Sequence, residues 1–299
     1  MIDIYAHAGK LEQAEEMFET ISMPNAVKYA MLVKAYAKSD RADRATEVVH
    51  RMLKDSLIDP EINIFNSLID AWAESSQPDA VDQAFKIFRL MEDNEKCVEL
   101  GVRPDSISFG ALLKCLAASS SGDTGRRAEL VLDDMERRYR AGNPHSKPST
   151  IAYSLAIKAC FRAGDLERAD AVMKRMEMSD TPPVLRTYSD ILNHYSRMGT
   201  PAAAERTEQI HDYMKDLAKS TPSLKPDAFS YTIVMAAWAR SGDPHAADRM
   251  WNIYEQMGTD KVDLTMISYN TLISFLAKSK KTKDRMRVKT LLLLRSREK

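Results

Sequence analysis

The 299-residue sequence contains only ten glycines and three cysteines. A large α/β enzyme needs more glycine than this for its tight strand-to-helix turns, so the scarcity of glycine favours helices along most of the chain. Cys97, Cys115 and Cys160 are too far apart for a metal knuckle, and their odd number argues against a disulfide framework. We therefore expect reduced thiols in a hydrophobic core and a reducing compartment.

Long apolar runs and an overall net charge are also missing. The uninterrupted apolar runs are too short to cross a bilayer, so no membrane partner is expected. The 43 basic residues equal the 43 acidic residues, and no global charge draws the molecule to nucleic acid. Residues 278–299 nevertheless carry a net charge of +8, and the rest of the chain carries −8. This basic end could bind phosphates, but a solvated terminal segment explains it as well.

The sequence contains no catalytic or metal-binding motif. Its six histidines form no His-x-x-x-His or Cys/His ligand pair, and there is no glycine-rich phosphate loop or nucleophile elbow. Asp133 and Asp134 are adjacent on a charged helix face, for which solvation is a simpler explanation than a metal site. The sequence therefore predicts a protein that is not an enzyme and has no catalytic residues, no metal and no cofactor.

An internal repeat runs along the chain. An aromatic residue, followed by a short residue and then large apolar residues, recurs at intervals of 36, 44, 44, 35, 43 and 38 residues. The aromatics are Tyr29, Phe65, Phe109, Tyr153, Tyr188, Tyr231 and Tyr269. Downstream of most of them comes the pattern Ala-x-x-x-apolar-x-x-Met, whose spacing places three side chains on one helix face. The clear copies are Ala45/Val49/Met52, Ala84/Phe88/Met91, Ala128/Leu132/Met135 and Ala169/Met173/Met176.

Prolines mark the joints between repeats. A proline followed by a short polar or acidic residue ends one helix and begins the next. These pairs are Pro24-Asn25, Pro60-Glu61, Pro104-Asp105, Pro148-Ser149 and Pro226-Asp227. Each repeat is thus a helix, a turn and a second helix. Because one helix pair cannot bury its own apolar stripe, successive pairs must stack, which predicts an all-α fold, a right-handed α-solenoid of helix-turn-helix repeats.

We expect a single solenoid over residues 1–299. A half unit at 1–25 precedes units at 26–61, 62–105, 106–149, 150–184, 185–227, 228–265 and a degenerate unit at 266–299, in which Arg285 stands where the alanine is due. The extra residues of the longer units are expected to loop out at 94–96, 119–123 and 141–143. Leu291 to Leu294 are predicted to pack as the terminal helix rather than to bind a membrane.

The repeat resembles that of the pentatricopeptide repeat family. In residues 150–184 it matches the family pattern at Tyr153, Ser154, Ile157, Arg162 to Asp165, Ala169, Met176 and Pro183. The tetratricopeptide repeat would instead require a small residue three to four places after the aromatic, where this chain has bulky residues such as Leu32 and Val33. The resemblance covers essentially the whole chain.

The resemblance implies binding of single-stranded RNA at about one base per repeat. In the family, the residue after the aromatic and the last residue of the unit contact the base edge. Carried over, these pairs are Ala30/Glu61, Asn66/Asp105, Gly110/Ser149, Ser154/Val184, Ser189/Asp227 and Thr232/Thr265, with Asn270 unpaired. The implied base-reading residues are Asn66, Asp105, Ser154, Ser189, Asp227, Thr232 and Asn270.

The side-chain chemistry suggests which bases these pairs select. An amide suits a pyrimidine and a hydroxyl beside a carboxylate suits guanine, so Asn66/Asp105 favours uracil and Ser189/Asp227 favours guanine. Thr232 leans to a purine and Asn270 to a pyrimidine. Alternatively, these polar side chains serve only the backbone N–H groups of the first helical turn.

The resemblance also assigns base-stacking and phosphate contacts. The residue two places before the aromatic flanks the base in the family, and it is apolar at Val27, Ile107, Ile151, Phe229 and Ile267, where it could instead seal contacts between units. The residue nine places after the aromatic faces phosphate in the family, and five units carry a cation there: Lys38, Arg162, Arg197, Arg240 and Lys278. Five phosphate contacts predict a log–log salt slope of about −3 to −4 on a single strand. The alternative is a set of charges on solvated helix ends.

Two functional hypotheses follow. The first, implied by the resemblance, is a monomeric, sequence-selective adaptor that binds single-stranded RNA in the mitochondrion or plastid and acts in RNA stability, processing or translation, with other RNA-processing proteins as further partners. The second is a helical-repeat scaffold for protein–protein interaction, favoured by the acidic body of the chain. Met1 aligns with the middle of a first helix, so the sequence reads as lacking the start of its first repeat, and no targeting peptide is visible.

Overall fold

The computed structural model describes Tyr5, residues 11–20 and residues 25–297, with the side chains of 294–297 excluded. Met1, Pro24 and the side chain of Leu294, on which some of the expectations rest, lie outside the described residues. Within these ranges the chain forms α-helices and two short 3-10 turns, Pro144–Ser146 and Pro222–Leu224, without a β-strand. The all-α class predicted from the sequence is confirmed.

The helices follow one another in pairs. In chain order they are α1 Leu11–Glu19, α2 Ala26–Lys38, α3 Ala42–Lys54, α4 Ile62–Glu74, α5 Ala80–Asp93, the short α6 Glu95–Glu99, α7 Ser106–Ala118, α8 Thr124–Arg140, α9 Thr150–Ala163, α10 Leu166–Glu177, α11 Leu185–Met198, α12 Pro201–Ala218, α13 Ala228–Ser241, α14 Ala246–Thr259, α15 Met266–Leu276 and α16 Thr282–Arg297. We call α2, α4, α7, α9, α11, α13 and α15 the first helices, and α3, α5, α8, α10, α12, α14 and α16 the second helices.

The first helices begin where the sequence predicts a new unit. Each starts at the first residue of one of the seven predicted units, at positions 26, 62, 106, 150, 185, 228 and 266. The residue before the helix is often an N-cap whose side chain accepts a hydrogen bond from a first-turn backbone N–H, as at Asn25, Asp105, Ser149, Asp227 and Thr265. At these five joints the last residue of one unit therefore also caps the first helix of the next, whereas the Glu61 and Val184 side chains make no capping hydrogen bond.

The chain divides into two compact units, Met1–Pro182 and Pro183–Lys299. In the first, α2, α4, α7 and α9 pack side by side in that order, and in the second α11, α13 and α15 do the same. Second helices pack on their own first helix and, within each unit, on the first helix that follows. Each unit is therefore a stack of helix pairs. That residues 1–299 form one solenoid stays a prediction.

The core of each stack consists of the repeated residues. The seven aromatics are at most 6% exposed, and the alanines and methionines of the four clear Ala/Met patterns are at most 1% exposed. Cys97, Cys115 and Cys160 are buried free thiols, as expected. Burial raises the pKa of Cys115 to about 11 and that of Cys160 to about 12, so neither thiol is reactive.

One predicted loop is wrong. Residues 95–96 do not loop out but begin α6, because the Asn94 side chain accepts a hydrogen bond from the Cys97 backbone N–H (3.3 Å) and Cys97 is fully buried. The predicted loops at 119–123 and 141–143 do connect helices. Much of the extra length of the longer units lies in their second helices, since α8 has 17 residues and α12 has 18, against 12 in α10.

The last pair keeps the helix register with different residues. Asp284, not Arg285, takes the buried alanine place, and Leu291, seven positions on, takes the methionine place. The buried Asp284 carboxylate accepts hydrogen bonds from Ser279 Oγ (2.6 Å) and from the Arg287 guanidinium (3.0 Å). Leu291 is fully buried, whereas Leu292 and Leu293 are exposed, so the predicted packing of this run holds for Leu291. No helix in the described ranges has the length and apolar character needed to span a membrane.

Candidate nucleic-acid interface

One face of each first helix carries the residues assigned to RNA binding. Apart from Asp105 and Asp227, which are N-caps, they occupy the second, fifth and thirteenth places counted from the start of the helix, as Val27, Ala30 and Lys38 do in α2. The ninth place lies on the same face, because steps of three and four residues follow the helical period of 3.6. We call these four places the first-helix stripe. Because first helices pack side by side, their stripes are neighbours within each compact unit.

The apolar residues at the second place of the stripe are exposed. Their relative exposures are 52% for Val27, 61% for Ile107, 69% for Ile151, 58% for Phe229 and 68% for Ile267. A side chain that sealed the contact between helix pairs would be buried, so these values argue against that alternative. Apolar groups in this position can stack on the faces of bases.

The structure brings Asn66 and Asp105 together. Asn66 Nδ2 donates to Asp105 Oδ1 at 3.3 Å, although these residues are 39 positions apart. Between them lies Ser108, whose hydroxyl donates to Asn66 Oδ1 at 2.5 Å. Asp105 is also the N-cap of α7 and accepts from the backbone N–H groups of Ile107 and Ser108. The pair is thus both hydrogen-bonded internally and part of a helix cap.

The same arrangement recurs at Thr232 and Thr265. Ser268 Oγ lies 2.6 Å from Thr232 Oγ1 and 2.8 Å from Thr265 Oγ1. Thr232 Oγ1 also donates to the Ala228 carbonyl at 2.6 Å. Ser108 and Ser268 were not singled out by the sequence, although both stand immediately before a repeat aromatic.

The other base-reading candidates are placed differently. Ser189 is 5% exposed, similar to Asn66 at 6%, but its hydroxyl donates to the Leu185 carbonyl, while Asp227 accepts from the Ser230 backbone N–H. No hydrogen bond joins Ser189 to Asp227 in the described chain, so both show the local backbone role that was the alternative. Ser154 is half-buried and Asn270 is exposed.

The five candidate cations lie at or just beyond the C-terminal ends of first helices, and all are exposed. Arg162 and Arg240 hydrogen-bond to the preceding first helix. Arg162 donates to the carbonyls of Ala117 (3.0 Å) and Ala118 (2.6 Å), which end α7, and Arg240 donates to Ser196 Oγ (2.9 Å). Cations at helix C-termini also interact favourably with the helix dipole. The side chains of Arg197 and Lys278 have no hydrogen bond or ion pair with another described residue.

Sequence reasoning missed a second row of cations at the ninth place of the stripe. Lys34 and Lys158 are exposed there. Lys114 lies there too and bridges Asp70 (2.7 Å) and Glu74 (2.8 Å) on the preceding first helix. Burial opposes the charged form of Lys114, but these hydrogen bonds outweigh it and raise the pKa of this ammonium. The sequence could have indicated this row, because a lysine stands five places after three of the repeat aromatics.

Several acidic residues of the second helices pair with cations of the next second helix or of their own helix. Asp133 pairs with Arg175 at 2.7 Å, and Asp134 pairs with Arg138 of its own helix at 2.8 Å. Asp248 pairs with Lys283 (3.0 Å) and Arg287 (2.8 Å) of the basic C-terminal segment. Part of the basic end therefore serves packing of the last helix.

In the described ranges no cluster of His, Cys, Asp and Glu could hold a metal ion.

Comparison with known proteins assigns most of the chain to one family. The model described as the pentacotripeptide-repeat region of PRORP matches residues 95–221, that of the pentatricopeptide repeat domain matches 22–75, and that of the PPR repeat matches 1–22 and 229–258. Among solved structures, pentatricopeptide repeat protein PPR10 from maize superposes with a TM-score of 0.66 at 19% identity, over 99% of this chain and 38% of that chain. The α-solenoid fold predicted from the sequence is confirmed.

Relatives in Arabidopsis thaliana belong, by name, to the same family. A chloroplastic pentatricopeptide repeat-containing protein is 25% identical over 76% of this chain and 29% of its own length, and a mitochondrial one is 25% identical over 78% and 58%. The small ribosomal subunit protein mL103 (rPPR7) is 24% identical over 84% and 54%. The chain thus spans between about a third and three fifths of these relatives. It is an all-α helical-repeat protein, and it belongs to the pentatricopeptide repeat family.

Proposed function

We propose that this chain is a sequence-selective adaptor for single-stranded RNA that reads about one base per repeat through the first-helix stripe. It acts in RNA stability, processing or translation, in the mitochondrion or plastid to which its relatives are assigned by name. The observation that carries the proposal is the row of exposed apolar side chains at the second place of the stripe, 52–69% exposed and in register with the repeat.

The arrangement of the stripe supports this function. From the second to the thirteenth place is eleven residues, or about 16 Å along a helix that rises 1.5 Å per residue. Stacking groups and polar readers lie at the N-terminal end of this distance and cations at the other, which suits bases at one end and phosphates at the other. Many acidic residues of the second helices are engaged in ion pairs, which weakens the case for an acidic docking scaffold.

The stacking residues provide the test. In an Ile107→Ser/Ile151→Ser double variant, we expect RNA affinity to fall about fivefold or more per residue, because a base that covers an isoleucine removes apolar surface from water, which contributes about 1 kcal/mol or more. Both side chains are exposed, so folding should be unchanged. Fluorescence anisotropy with labelled single-stranded RNA over a range of salt concentrations measures the affinity and its salt slope together.

Leu130→Ser is the matched control, because Leu130 is a 56%-exposed apolar residue on the second helix α8, away from the stripe. It should bind RNA like the wild type. Unchanged affinity in the double variant would contradict the proposed stacking role. If the wild-type chain binds RNA no better than single-stranded DNA at moderate salt, the adaptor function is wrong and the protein-binding scaffold becomes the better hypothesis.

A further inference from the structure

We propose that a buried hydroxyl at the third residue of a first helix sets the base selectivity of the preceding repeat where it hydrogen-bonds the reader of that repeat. Ser108 does so for Asn66/Asp105, and Ser268 for Thr232/Thr265. The inference rests on the proposed function and deepens it, because it assigns selectivity to a residue that is itself too deeply buried to touch a base. Both serines are 0% exposed, so each acts as a positioning residue.

Ser108 fixes which atoms of Asn66 remain for a base. The Asp105 carboxylate only accepts hydrogen bonds, so Asn66 must turn its Nδ2 towards Asp105 Oδ1 (3.3 Å), which leaves its Oδ1 facing the Ser108 hydroxyl (2.5 Å). Ser108 Oγ also lies 3.0 Å from Asp105 Oδ1, but that oxygen already accepts from three N–H groups, so the single Ser108 proton goes to the nearer Asn66 Oδ1. The Asp105 backbone N–H donates to Ser108 Oγ at 3.2 Å. Asn66 then keeps one Nδ2–H and the second lone pair of Oδ1 for a base, with its amide held in one orientation. The free Nδ2–H donor is the group that distinguishes this reader from Thr232.

Ser268, by contrast, leaves Thr232 with only an acceptor for a base. The Thr232 hydroxyl has one proton, which it donates to the Ala228 carbonyl, so Ser268 must be the donor in its 2.6 Å contact with Thr232. Thr265, which also accepts from the Ser268 backbone N–H, then donates to Ser268 Oγ at 2.8 Å. Each hydroxyl therefore donates to the next: Thr265 donates to Ser268, and Ser268 donates to Thr232. Thr232 keeps one lone pair, and the reader presents an acceptor to a base amino group.

The sequence of the chain follows the same logic. Where the reader is polar, the third residue of the next first helix carries a hydroxyl, and where the reader is Ala30 or Gly110, that residue is apolar. The successive reader and third-residue pairs are Ala30/Ile64, Asn66/Ser108, Gly110/Ala152, Ser154/Thr187, Ser189/Ser230 and Thr232/Ser268. Of these pairs, Asn66/Ser108 and Thr232/Ser268 are joined by a hydrogen bond between reader and third residue.

Ser108→Ala and Ser268→Ala test the inference. We expect each variant to keep its overall affinity for a randomised RNA pool but to lose preference at one nucleotide, by about three- to ten-fold, the effect of one hydrogen bond. Preference at the other nucleotides should be unchanged. With alanine at 108, Asn66 Oδ1 loses its donor and accepts from bases that the wild type rejects. Selection from the pool followed by sequencing gives the preference at every position at once.

Ser230→Ala is the matched control. Ser230 has the same place in its helix and is also fully buried, but its hydroxyl donates to the Asp227 carbonyl (2.8 Å) and makes no hydrogen bond with Ser189 in the described chain. This variant should therefore retain the base preference of its repeat. A loss of preference in all three variants would show a general effect of the lost hydroxyl on the helix start and would contradict the inference.

A readout without RNA separates this inference from the proposed function. In the free protein, the Asn66 side-chain amide should exchange with solvent slowly in the wild type and faster in Ser108→Ala, as measured by NMR. If the wild type selects bases and both alanine variants select the same bases equally well, the inference is overturned and the proposed function stands. If the wild type binds RNA without any base preference, base reading itself fails.

Discussion

His211 is a buried titratable residue that the candidate interface does not use. Its side chain is 2% exposed on α12, its ring packs edge-on against Tyr231 with centroids 4.3 Å apart, and its Nε2 has no hydrogen-bond partner among the described residues. Burial, and then the charge of nearby Lys215, lowers the pKa of His211 to about 3, against a smaller opposing effect of Asp260. The folded protein therefore holds a neutral imidazole.

We expect this histidine to make the protein less stable as the pH is lowered. Below about pH 6.5 the unfolded chain binds a proton that the folded protein excludes, so the free energy of unfolding declines by up to about 1.4 kcal/mol per pH unit between about pH 6 and pH 4. His211→Phe keeps an aromatic ring against Tyr231 but does not titrate. Urea unfolding at pH 7.5, 6 and 5 should show a steeper decline in the wild type, and equal declines in the two proteins would contradict the prediction.

At the level of single residues, the register of the stripe was predictable and its hydrogen bonds were not. The places of Val27, Ile107 and Ile151 follow from counting back from the aromatics. The bridge from Ser108 to Asn66 joins residues 42 positions apart, and only the packing of α4 against α7 brings them together. Likewise, an arginine at the thirteenth place was expected, but its bond to the carbonyls that end the previous first helix depends on where that helix stops.

Close approach of neighbouring helices is set by Gly125 on α8. A Cβ added there would lie 3.1 Å from Cys160 Cα and 3.5 Å from Ala163 Cβ, both on α9. At Gly110, in the middle of α7, an added Cβ would meet nothing within 4 Å. Helix packing therefore restricts the side chain at position 125, whereas it places no restriction at position 110.

Alanine substitutions should change stability in opposite directions at these two sites. Gly125→Ala must displace the backbone of α9, and we expect it to destabilise the protein by about 1–3 kcal/mol. Gly110→Ala removes the entropic cost of glycine in a helix and should stabilise by about 0.5–1 kcal/mol. Chemical denaturation measures both, and a stabilised Gly125→Ala variant would show that α8 and α9 are not in close contact.

Helix starts were the most predictable elements. Proline followed by a capping residue predicts where a first helix begins, because proline cannot continue the preceding helix and the cap satisfies free N–H groups. α6 was missed because a five-residue helix carries too little periodicity to recognise, although Asn94 was available as its cap. The place of Asp284 in the last pair was also missed, because a pattern that requires alanine cannot anticipate a carboxylate buried with Arg287 and Ser279.

For the whole molecule, repetition made the fold class and the family predictable. Seven copies of one pattern predict a stack of helix pairs. The family models match residues 1–22, 22–75, 95–221 and 229–258, in agreement with this prediction. The division into two compact units at Pro182 and Pro183 could not be predicted, because the repeat pattern continues across it. Under the proposed function, the set of stripe residues would determine which RNA sequence this chain selects.

The most direct test of base-by-base reading is selection from a randomised single-stranded RNA pool with the wild type and with Ser189→Asn. This substitution makes the Ser189/Asp227 pair match Asn66/Asp105. We predict that the wild type enriches a uracil and a guanine three nucleotides apart, the spacing of the units at 62–105 and 185–227, and that the variant converts the guanine alone to uracil. Enrichment without this spacing, or a variant that selects the same RNA as the wild type, would contradict one-base-per-repeat recognition.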